Sequence, residues 1–225
     1  MSVRGPIGVL CSGGLDSAVL LVELARSAGS AVPLFVRAGH VWEDPERIAL
    51  DRFVAAVVEP RIAPIRELAV PMTDVYGATH WSLSGDARPG WDAPDADVEL
   101  RGRNLILLAK AFVVAALEGW PTLALGSLAG NPFPDATPEF FARLAAVASD
   151  GLRTELTIIL PYRGLHKADV IRRGADLPLA LTLSCLTPDA AGRHCGDCNK
   201  CRERVDAFRE AGVTDRTAYA RTVRA

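Results

Sequence analysis

The sequence contains no segment that would carry it into or across a membrane. No run of about 18 uncharged apolar residues occurs in the chain, and a helix needs roughly that length to span a bilayer. The first residues, MSVRGPIGVL, also lack the basic region, long apolar stretch and small-residue cleavage site of a secretory signal. We therefore expect a soluble cytoplasmic protein.

An excess of charge of either sign is also absent. The 225 residues include 25 basic and 27 acidic side chains, a formal net charge of -2, so the composition does not favour binding to nucleic acid. Internal repeats and low-complexity segments are missing as well, and 49% of the residues are hydrophobic. A chain of this length can bury most of its apolar surface, so we expect one main core.

What the sequence does contain is an alternation of short apolar runs with longer helical patterns. The runs predict strands at 7–11, 32–39, about 65–71, 122–127 and 157–162, and the patterns predict helices at 15–28, about 45–58, 103–119, 138–149 and 166–177. This alternation is typical of an α/β fold in which a Rossmann-like parallel sheet carries helices on both faces and binds ligands at the carboxyl ends of its strands. We expect a nucleotide-binding unit at 1–180 and a smaller C-terminal unit at 181–225.

Between Tyr76 and Asp97 the periodicity lapses into a stretch rich in Gly, Pro and Asp that contains two tryptophans. This composition favours a long surface segment over core. Two interpretations of residues 77–97 are open, a solvated excursion and a lid over the site.

The first apolar run leads into Ser12-Gly13-Gly14-Leu15-Asp16-Ser17, where a predicted strand passes into a predicted helix. Backbone N–H groups of a glycine turn, serine hydroxyls and the positive end of the helix dipole can together hold an anion. The segment has neither the lysine of the Walker pattern nor a GxGxxG fingerprint. It resembles the SGGxDS loop of the ATP pyrophosphatases, in which the glycines and serines would hold pyrophosphate and Asp16 would bind Mg²⁺ or position the phosphates. A tight turn with Asp16 or Ser17 as helix cap is the structural alternative.

Four of the five cysteines lie near the end of the chain, at Cys185, Cys195, Cys198 and Cys201. A CxxCxxC group with a fourth cysteine upstream suits tetrahedral zinc, and four protein ligands leave no position for substrate, so the site would be structural. A helix at 201–212 would pack this zinc knuckle against the main domain. Disulfides are disfavoured in a cytoplasmic chain, and an iron–sulfur cluster is the other alternative. We interpret His194 as a neighbour of the site and Cys11 as a core residue.

Several motifs together resemble the 7-cyano-7-deazaguanine synthase family over most of the chain. They are the SGGLDS loop, GRN before a helix, PYRGLHKADVIRRGA, LTLSC, CxxCxxR followed by AF, and AGVTDRTAY. The resemblance implies an ATP-dependent C–N ligase of queuosine biosynthesis with ATP, Mg²⁺ and Zn²⁺ as cofactors. Such enzymes adenylate the carboxylate of 7-carboxy-7-deazaguanine, let ammonia attack to form the amide, and activate that amide again to leave a nitrile.

The same resemblance assigns roles to side chains outside the loop. With Asp16 and Ser17, the catalytic set would include Arg103, which would bind phosphate or the substrate carboxylate, and Lys167, which would neutralise charge growing on the pyrophosphate. Asn104 would contact the substrate or cap its helix.

The segment expected to embrace the deazapurine departs from the family pattern. Where the pattern is Gly-Tyr-Pro-Asp-Cys-Arg-Pro-Glu-Phe, residues 132–140 are PFPDATPEF. Phe133, Asp135 and Glu139 are the predicted substrate residues there, but the phenol, thiol and guanidinium of the pattern are missing. Losing polar contacts to a bound ring can change selectivity strongly.

This departure leaves a second interpretation open, in which the chain adenylates a similar carboxylate and passes it to another amine on a protein or metabolite. A tRNA-modifying sulfurtransferase is disfavoured by the near-neutral charge and by the lack of a second CxxC. A non-enzymatic zinc-binding module is the remaining class. We expect small-molecule partners (ATP, a deazapurine carboxylate and ammonia), no membrane or nucleic acid, and leave a homodimer open.

Overall fold

The centre of the protein is a parallel sheet of five strands in the order β3-β2-β1-β4-β5. A computed structural model describes residues 5–224. The strands are β1 (Ile7–Leu10), β2 (Ala31–Arg37), β3 (Arg66–Ala69), β4 (Thr122–Ala124) and β5 (Thr157–Ile159). Each strand ends earlier than the apolar run that predicts it, because the last residues of each run turn out of the sheet into loops at its carboxyl edge.

The six predicted helices are present, and short helices join them, but the helix predicted at 166–177 ends at Arg173, before Gly174. The helices are α1 (Leu15–Ala28), α2 (Glu43–Val57), α3 (Thr73–Tyr76), α4 (Trp81–Ser84), α5 (Arg103–Glu118), α6 (Pro138–Leu152), α7 (Lys167–Arg173) and α8 (Asn199–Ala211), with 3-10 turns at Asp95–Val98, Pro134–Ala136 and Leu179–Leu181. Across residues 5–224, no helix has the length and apolar character needed to traverse a bilayer.

Helices cover both faces of the sheet, as the sequence predicts. Side chains of a strand point alternately to its two faces. Ile7 and Val9 of β1 therefore pack with α1, α7 and α8, whereas Leu34 of β2 and Leu123 of β4 pack with α5 and α6. With both faces buried, the central strands β1, β2 and β4 are mostly apolar, as is usual in parallel sheets, whereas the edge strand β3 has three exposed residues. The predicted α/β fold class is confirmed.

The C-terminal region packs on the main sheet domain through α8, which lies against α7. The buried side chain of Arg204 fastens α8 to residues 179–184 and to Thr217. Its guanidinium donates hydrogen bonds to the Leu179 carbonyl at 2.8 Å and to the hydroxyls of Thr182, Ser184 and Thr217 at 3.0, 3.3 and 2.8 Å. The predicted units, 1–180 and 181–225, extend beyond the described residues at both ends, and the boundary between them stays a prediction.

Replacing Arg204 by alanine is expected to lower the free energy of unfolding by about 3 kcal/mol or more, because several buried acceptors lose their donor together. Urea denaturation followed by circular dichroism measures the change. The matched control is Arg209→Ala on the same helix, where the side chain is exposed and its pairing with Asp206 contributes little. Equal losses in the two variants would contradict a fastening role for Arg204.

The segment 77–97 is largely at the surface and is attached to the protein by Trp91. Trp91 is buried against Cys185, Cys198 and Leu183, and Gly90 forms an antiparallel bridge with Cys198. Arg202 of α8 donates to the Trp91 carbonyl at 2.8 Å. The segment therefore lies on the cysteine region, and its movement as a lid stays a prediction.

Candidate active site

The loop between β1 and α1 is held in shape by its own side chains. The Ser17 hydroxyl donates to the Gly14 carbonyl at 3.1 Å and accepts from the Ser12 N–H at 3.4 Å, while the Gly14 N–H donates to the Ser12 hydroxyl at 3.3 Å. Gly13 has a φ of +82°, in the left-handed region, and its α-carbon packs against the backbone carbonyl of Glu46. The turn therefore requires glycine at position 13 for both its conformation and its space.

This loop lies at the point where the strand order reverses. From β1 the chain proceeds outward through β2 and β3 on one side and later through β4 and β5 on the other. The loops on the two sides diverge at β1 and leave a crevice at the carboxyl edge of the sheet, which is where ligands of open α/β sheets bind. The sequence-predicted position of the SGGLDS loop thus coincides with the expected ligand crevice.

Two adjoining cavities form one cleft above the loop. The inner cavity, of about 230 Å³, reaches the ends of β1 and β2, and the outer cavity, of about 590 Å³, extends toward α8 and Cys185. Both are bounded by a shared wall made of Ser12, Gly14, Asp16, Trp42, Glu46, Arg103, Gly126, Ser127 and Asn131. A ligand longer than either cavity could therefore extend across the loop from one to the other.

A chain of alternating charges crosses the floor of the outer cavity. Lys167 at the start of α7 places its Nζ 3.2 Å from Asp16 Oδ2 and 2.7 Å from Glu203 Oε1, and Lys200 lies 2.8 Å from Glu203 Oε2. Burial lowers the pKa of Lys167, but the Asp16 and Glu203 carboxylates raise it by more, so the ammonium stays charged. Burial raises the pKa of Glu203, yet the two lysines lower it to about 2. The structure thus brings together the predicted residues Asp16 and Lys167.

Arg103 and His40 carry polar atoms that have no partner among the described residues. Arg103 Nε and both ring nitrogens of His40 are buried and unpaired. Burial lowers the pKa of His40 to about 4, helped by the charges of Arg103 and His80, so its ring is neutral. His40 stacks on Trp42 at 4.7 Å, and Trp42 stacks on Trp81 at 5.6 Å, which joins the β2–α2 turn to α4. The inner cavity therefore has an aromatic wall with free hydrogen-bonding groups.

The predicted substrate residues do not all reach the cleft. Phe133 lines the outer cavity and Asn104 lines the inner one. The Asp135 carboxylate instead accepts the backbone N–H of Asn104 at 2.9 Å, and the Asn104 side-chain amide donates to the Asp135 carbonyl at 3.0 Å. Asp135 therefore holds the first turn of α5, and Glu139 is an exposed residue in the first turn of α6 that lines neither cavity.

The four predicted cysteine ligands form one compact group. Their Sγ atoms lie within 4.8 Å of one another, with Cys198 and Cys201 at 3.5 Å and Cys195 and Cys201 at 3.8 Å. These distances exclude disulfides, and they are close to the roughly 3.8 Å edge of four sulfurs placed about 2.3 Å from a tetrahedral zinc. Hydrogen bonds from the other cysteines, Cys185 first, lower the pKa of Cys195. The donor set fits a single tetrahedral ion.

His194 and Cys11 both lie outside this group of four cysteines. His194 Nε2 accepts the Ser184 N–H at 3.1 Å, so its ring faces the backbone and lies outside the group. Burial lowers the pKa of His194 to about 3, which keeps this acceptor neutral. Cys11 is buried in the main core, where burial raises the pKa of its thiol.

Sequence reasoning missed several residues of the cleft, notably Trp42, Glu46, Ser127, Lys200 and Glu203. Trp42 lies in the loop after β2 and Ser127 in the loop after β4, so the rule that strand ends carry the site would have found these two, whereas Glu46 lies in the first turn of α2. Lys200 and Glu203 come from α8, and no local pattern indicates that this helix reaches the loop.

The comparisons with known proteins agree with this arrangement. The model of the family described as "Queuosine biosynthesis protein QueC" matches residues 7–212. The 7-cyano-7-deazaguanine synthase of Myxococcus xanthus is 30% identical over 227 residues, covering 94% of this chain and 96% of its own. That of Thiobacillus denitrificans is 35% identical over 226 residues, covering 95% and 97%.

A solved structure supports the fold alone. The U34-tRNA thiolase NcsA from Methanococcus maripaludis, which has a 4Fe-4S cluster, superposes with a TM-score of 0.50 at 14% identity, covering 92% of this chain and 67% of that one. The family predicted from the sequence motifs is confirmed by the matches along nearly the whole chain. This protein belongs to the QueC family of queuosine biosynthesis proteins.

Proposed function

We propose that this protein uses ATP to convert 7-carboxy-7-deazaguanine and ammonia to 7-cyano-7-deazaguanine, through an adenylated carboxylate and then an activated amide. The observation that carries the proposal is the SGGLDS loop at the sheet crevice, with Asp16 and Lys167 beside it, in a chain of the QueC family. The curated relatives at 30% and 35% identity are named for the synthesis of this product.

ATP would lie across the cleft with its pyrophosphate end over the loop. The N–H groups of the glycine turn and the start of α1 offer donors to phosphate oxygens. Lys167 supplies positive charge where the leaving pyrophosphate gains negative charge, which stabilises the transition state. The adenosine end would occupy the inner cavity, where His40 and the wall shared with Arg103 offer unpaired polar atoms.

Asp16 fits a role in holding Mg²⁺. Its Oδ2 contacts Lys167, whereas its Oδ1 is buried without a partner among residues 5–224. Carboxylate and phosphate oxygens are the ligands that Mg²⁺ prefers, and the ion would neutralise phosphate charge when bound.

The deazapurine would occupy the outer cavity, with its carboxylate toward Arg103 and the α-phosphate. Phe133 offers an apolar surface to the ring. Asp135 would act at one remove, because it fixes the turn of α5 from which Arg103 projects. Glu139 lies too far outside the cavity walls to serve in this arrangement.

Zn²⁺ is the ion that we propose for the cysteine group. Four thiolates at tetrahedral spacing suit it, and thiolates that bind the separate irons of a cluster would have to lie farther apart. The ion would supply structural cross-linking only, since all four positions are filled by protein.

A second function, transfer of the adenylated carboxylate to another amine, is favoured by the mouth of the outer cavity. Asp95, Asp206 and Glu210 line this cavity, but Asp95 lies 3.5 Å from Arg202 and Asp206 lies 3.2 Å from Arg209. Glu210 is therefore the carboxylate that would attract a cationic amine there. Ammonia and a larger amine would compete at the same adenylate, so the product separates the two functions.

The test is to incubate the purified protein with ATP, Mg²⁺, 7-carboxy-7-deazaguanine and ammonium and to follow pyrophosphate and mass. Pyrophosphate release with successive appearance of the amide and the nitrile is the expected result. Pyrophosphate release without either product would overturn nitrile synthesis and favour another acceptor. No pyrophosphate release with this carboxylate would overturn both functions.

A further inference from the structure

Glu46 is a buried carboxyl group at the junction of the two cavities. It lies in the first turns of α2, it is only 9% exposed, and it belongs to the wall that the inner and outer cavities share. The other charged members of that wall are Asp16 and Arg103. A ligand that crosses the loop from one cavity to the other must pass Glu46.

No hydrogen bond from a described residue satisfies this carboxyl group. By contrast, both oxygens of the neighbouring Glu43 accept the Gly39 N–H, at 3.1 and 3.0 Å. The Glu43 carboxylate therefore stabilises the turn after β2. The groups that act on Glu46 are Arg103 from α5 and Glu43 from its own helix, with Asp16 of α1 and His40 in the walls nearby. Burial has the largest effect and raises the pKa of Glu46. The charge of Arg103 lowers this pKa, and the charge of Glu43 raises it. A raised pKa makes the ionised carboxylate a stronger base than a solvated one, and the charge of Arg103 favours that ionised form.

We propose that Glu46 is the general base that takes a proton from the incoming ammonium ion at the adenylated carboxylate. This inference rests on the proposed function, which places the adenylate over the loop and the carboxylate carbon near Arg103. The other carboxylate of this wall, Asp16, contacts Lys167 at 3.2 Å and would hold Mg²⁺ in the proposed arrangement, which leaves Glu46 as the group that accepts the proton.

The step balances without any further reactant. Ammonium gives one proton to a Glu46 oxygen, and the resulting ammonia uses its electron pair to form the N–C bond. The C–O bond to the adenylate breaks, and AMP leaves with that electron pair. The second nitrogen proton, made acidic by the attack, passes to water at the open side of the cleft, and Glu46 then returns its own proton to water.

The experiment compares Glu46→Gln with the wild type at saturating ATP and 7-carboxy-7-deazaguanine, measuring amide formed per pyrophosphate released. At neutral pH we expect amide formation to fall about 10²-fold, the low end of what a general base contributes, so that the ratio falls with it. The loss should shrink as the pH approaches the pKa of ammonium, because solution ammonia then replaces the lost base. Hydroxylamine, which is neutral at neutral pH, should still give the hydroxamate in the variant.

Two further variants keep the result interpretable. Asp51→Asn, the same change on an exposed part of α2, should match the wild type. Glu46→Asp keeps a carboxylate and should retain part of the ammonium-dependent rate of amide formation. If Glu46→Gln melts at a lower temperature than the wild type, the rate of Glu46→Asp is compared with the wild type in its place.

Several results would overturn the proposal. An unchanged ratio of amide to pyrophosphate in Glu46→Gln would do so, as would a raised KM for ATP with a normal ratio, which would indicate nucleotide binding alone. Equal losses with ammonium and hydroxylamine would indicate a structural role. If the wild type itself releases no pyrophosphate, the proposed function fails and this inference fails with it.

Discussion

Replacing Gly13 by alanine is expected to abolish ATP-dependent pyrophosphate release, lowering its rate by about 10²-fold or more. A β-carbon at this position would stand 3.0 Å from the carbonyl carbon of Glu46 and closer still to its oxygen, and both are backbone atoms of a helix that cannot turn aside. The loop would have to move instead, and misplacing a phosphate-binding group by about 1 Å can cost 10²-fold in rate. The left-handed φ adds roughly 1–2 kcal/mol of strain for any residue with a β-carbon.

The effects of backbone strain and of steric collision can be separated with a second glycine, at the other end of α1. Gly29 ends α1 with a φ of +87°, and a β-carbon there would meet nothing within 4 Å. Gly29→Ala should therefore lose stability through strain alone and keep wild-type pyrophosphate release, measured well below the melting temperature of each variant. If the rate of pyrophosphate release in both variants falls in proportion to the free energy of unfolding, the close contact between Gly13 and Glu46 does not determine the shape of the loop.

Replacing Cys198 by alanine is expected to remove the bound metal and loosen the C-terminal region. Cys198 is fully buried, it directly precedes α8, and it pairs with Gly90, so it connects the cysteine group to α8 and to the 77–97 segment. Loss of a structural metal is one of the few changes that lower the free energy of unfolding by about 4 kcal/mol or more. In a chain of this size, such a loss would lower the melting temperature by about 10 °C. Elemental analysis should give one zinc per wild-type chain and close to none in the variant.

Hydrogen exchange localises the effect. Amides of α8 and of the 77–97 segment should exchange faster in Cys198→Ala, while those of β1 and β4 stay protected, because the main core does not depend on the cysteines. Cys11→Ala is the matched control, since it removes a buried thiol outside the group and should leave the metal content unchanged. A variant at Cys198 that retains a full equivalent of metal would show that the four cysteines do not act as one ligand set. Iron with visible absorption in the wild type would favour a cluster over zinc.

The parts of this structure that the sequence predicts are those encoded locally. The SGGLDS loop and the cysteine group are each encoded by a short stretch of sequence, 12–17 and 185–201. Each strand and helix is predicted by the periodicity of its own apolar residues. The order of the strands is not encoded in any local segment, because it depends on which apolar runs pair with each other. The crevice between the loops that follow β2 and β4 could therefore be inferred only from the fold class. The contact of Lys167 with both Asp16 and Glu203 joins three distant segments, of which only two had a recognisable motif.

The 131–140 segment illustrates the opposite case, where a motif indicates importance but not geometry. Asp135 and Glu139 match the expected pattern, yet one carboxylate holds the start of α5 and the other is exposed. A short acidic side chain next to a helix start satisfies the backbone N–H groups there, and sequence alone does not distinguish this use from contact with a ligand. Similarly, Trp91 in the Gly- and Pro-rich segment packs on cysteines that lie far along the chain, so composition alone could not show where the segment attaches.

The position of Lys167 makes the two ends of the molecule thermodynamically linked. One ammonium group is shared by Asp16 in the phosphate loop and by Glu203, two residues after Cys201. If a bound nucleotide stabilises these contacts of Lys167, the coupling is reciprocal. The nucleotide then increases the affinity of the cysteine group for its metal by the same free energy. At equilibrium with a chelator, the nucleotide-bound protein should then retain more metal than the free protein.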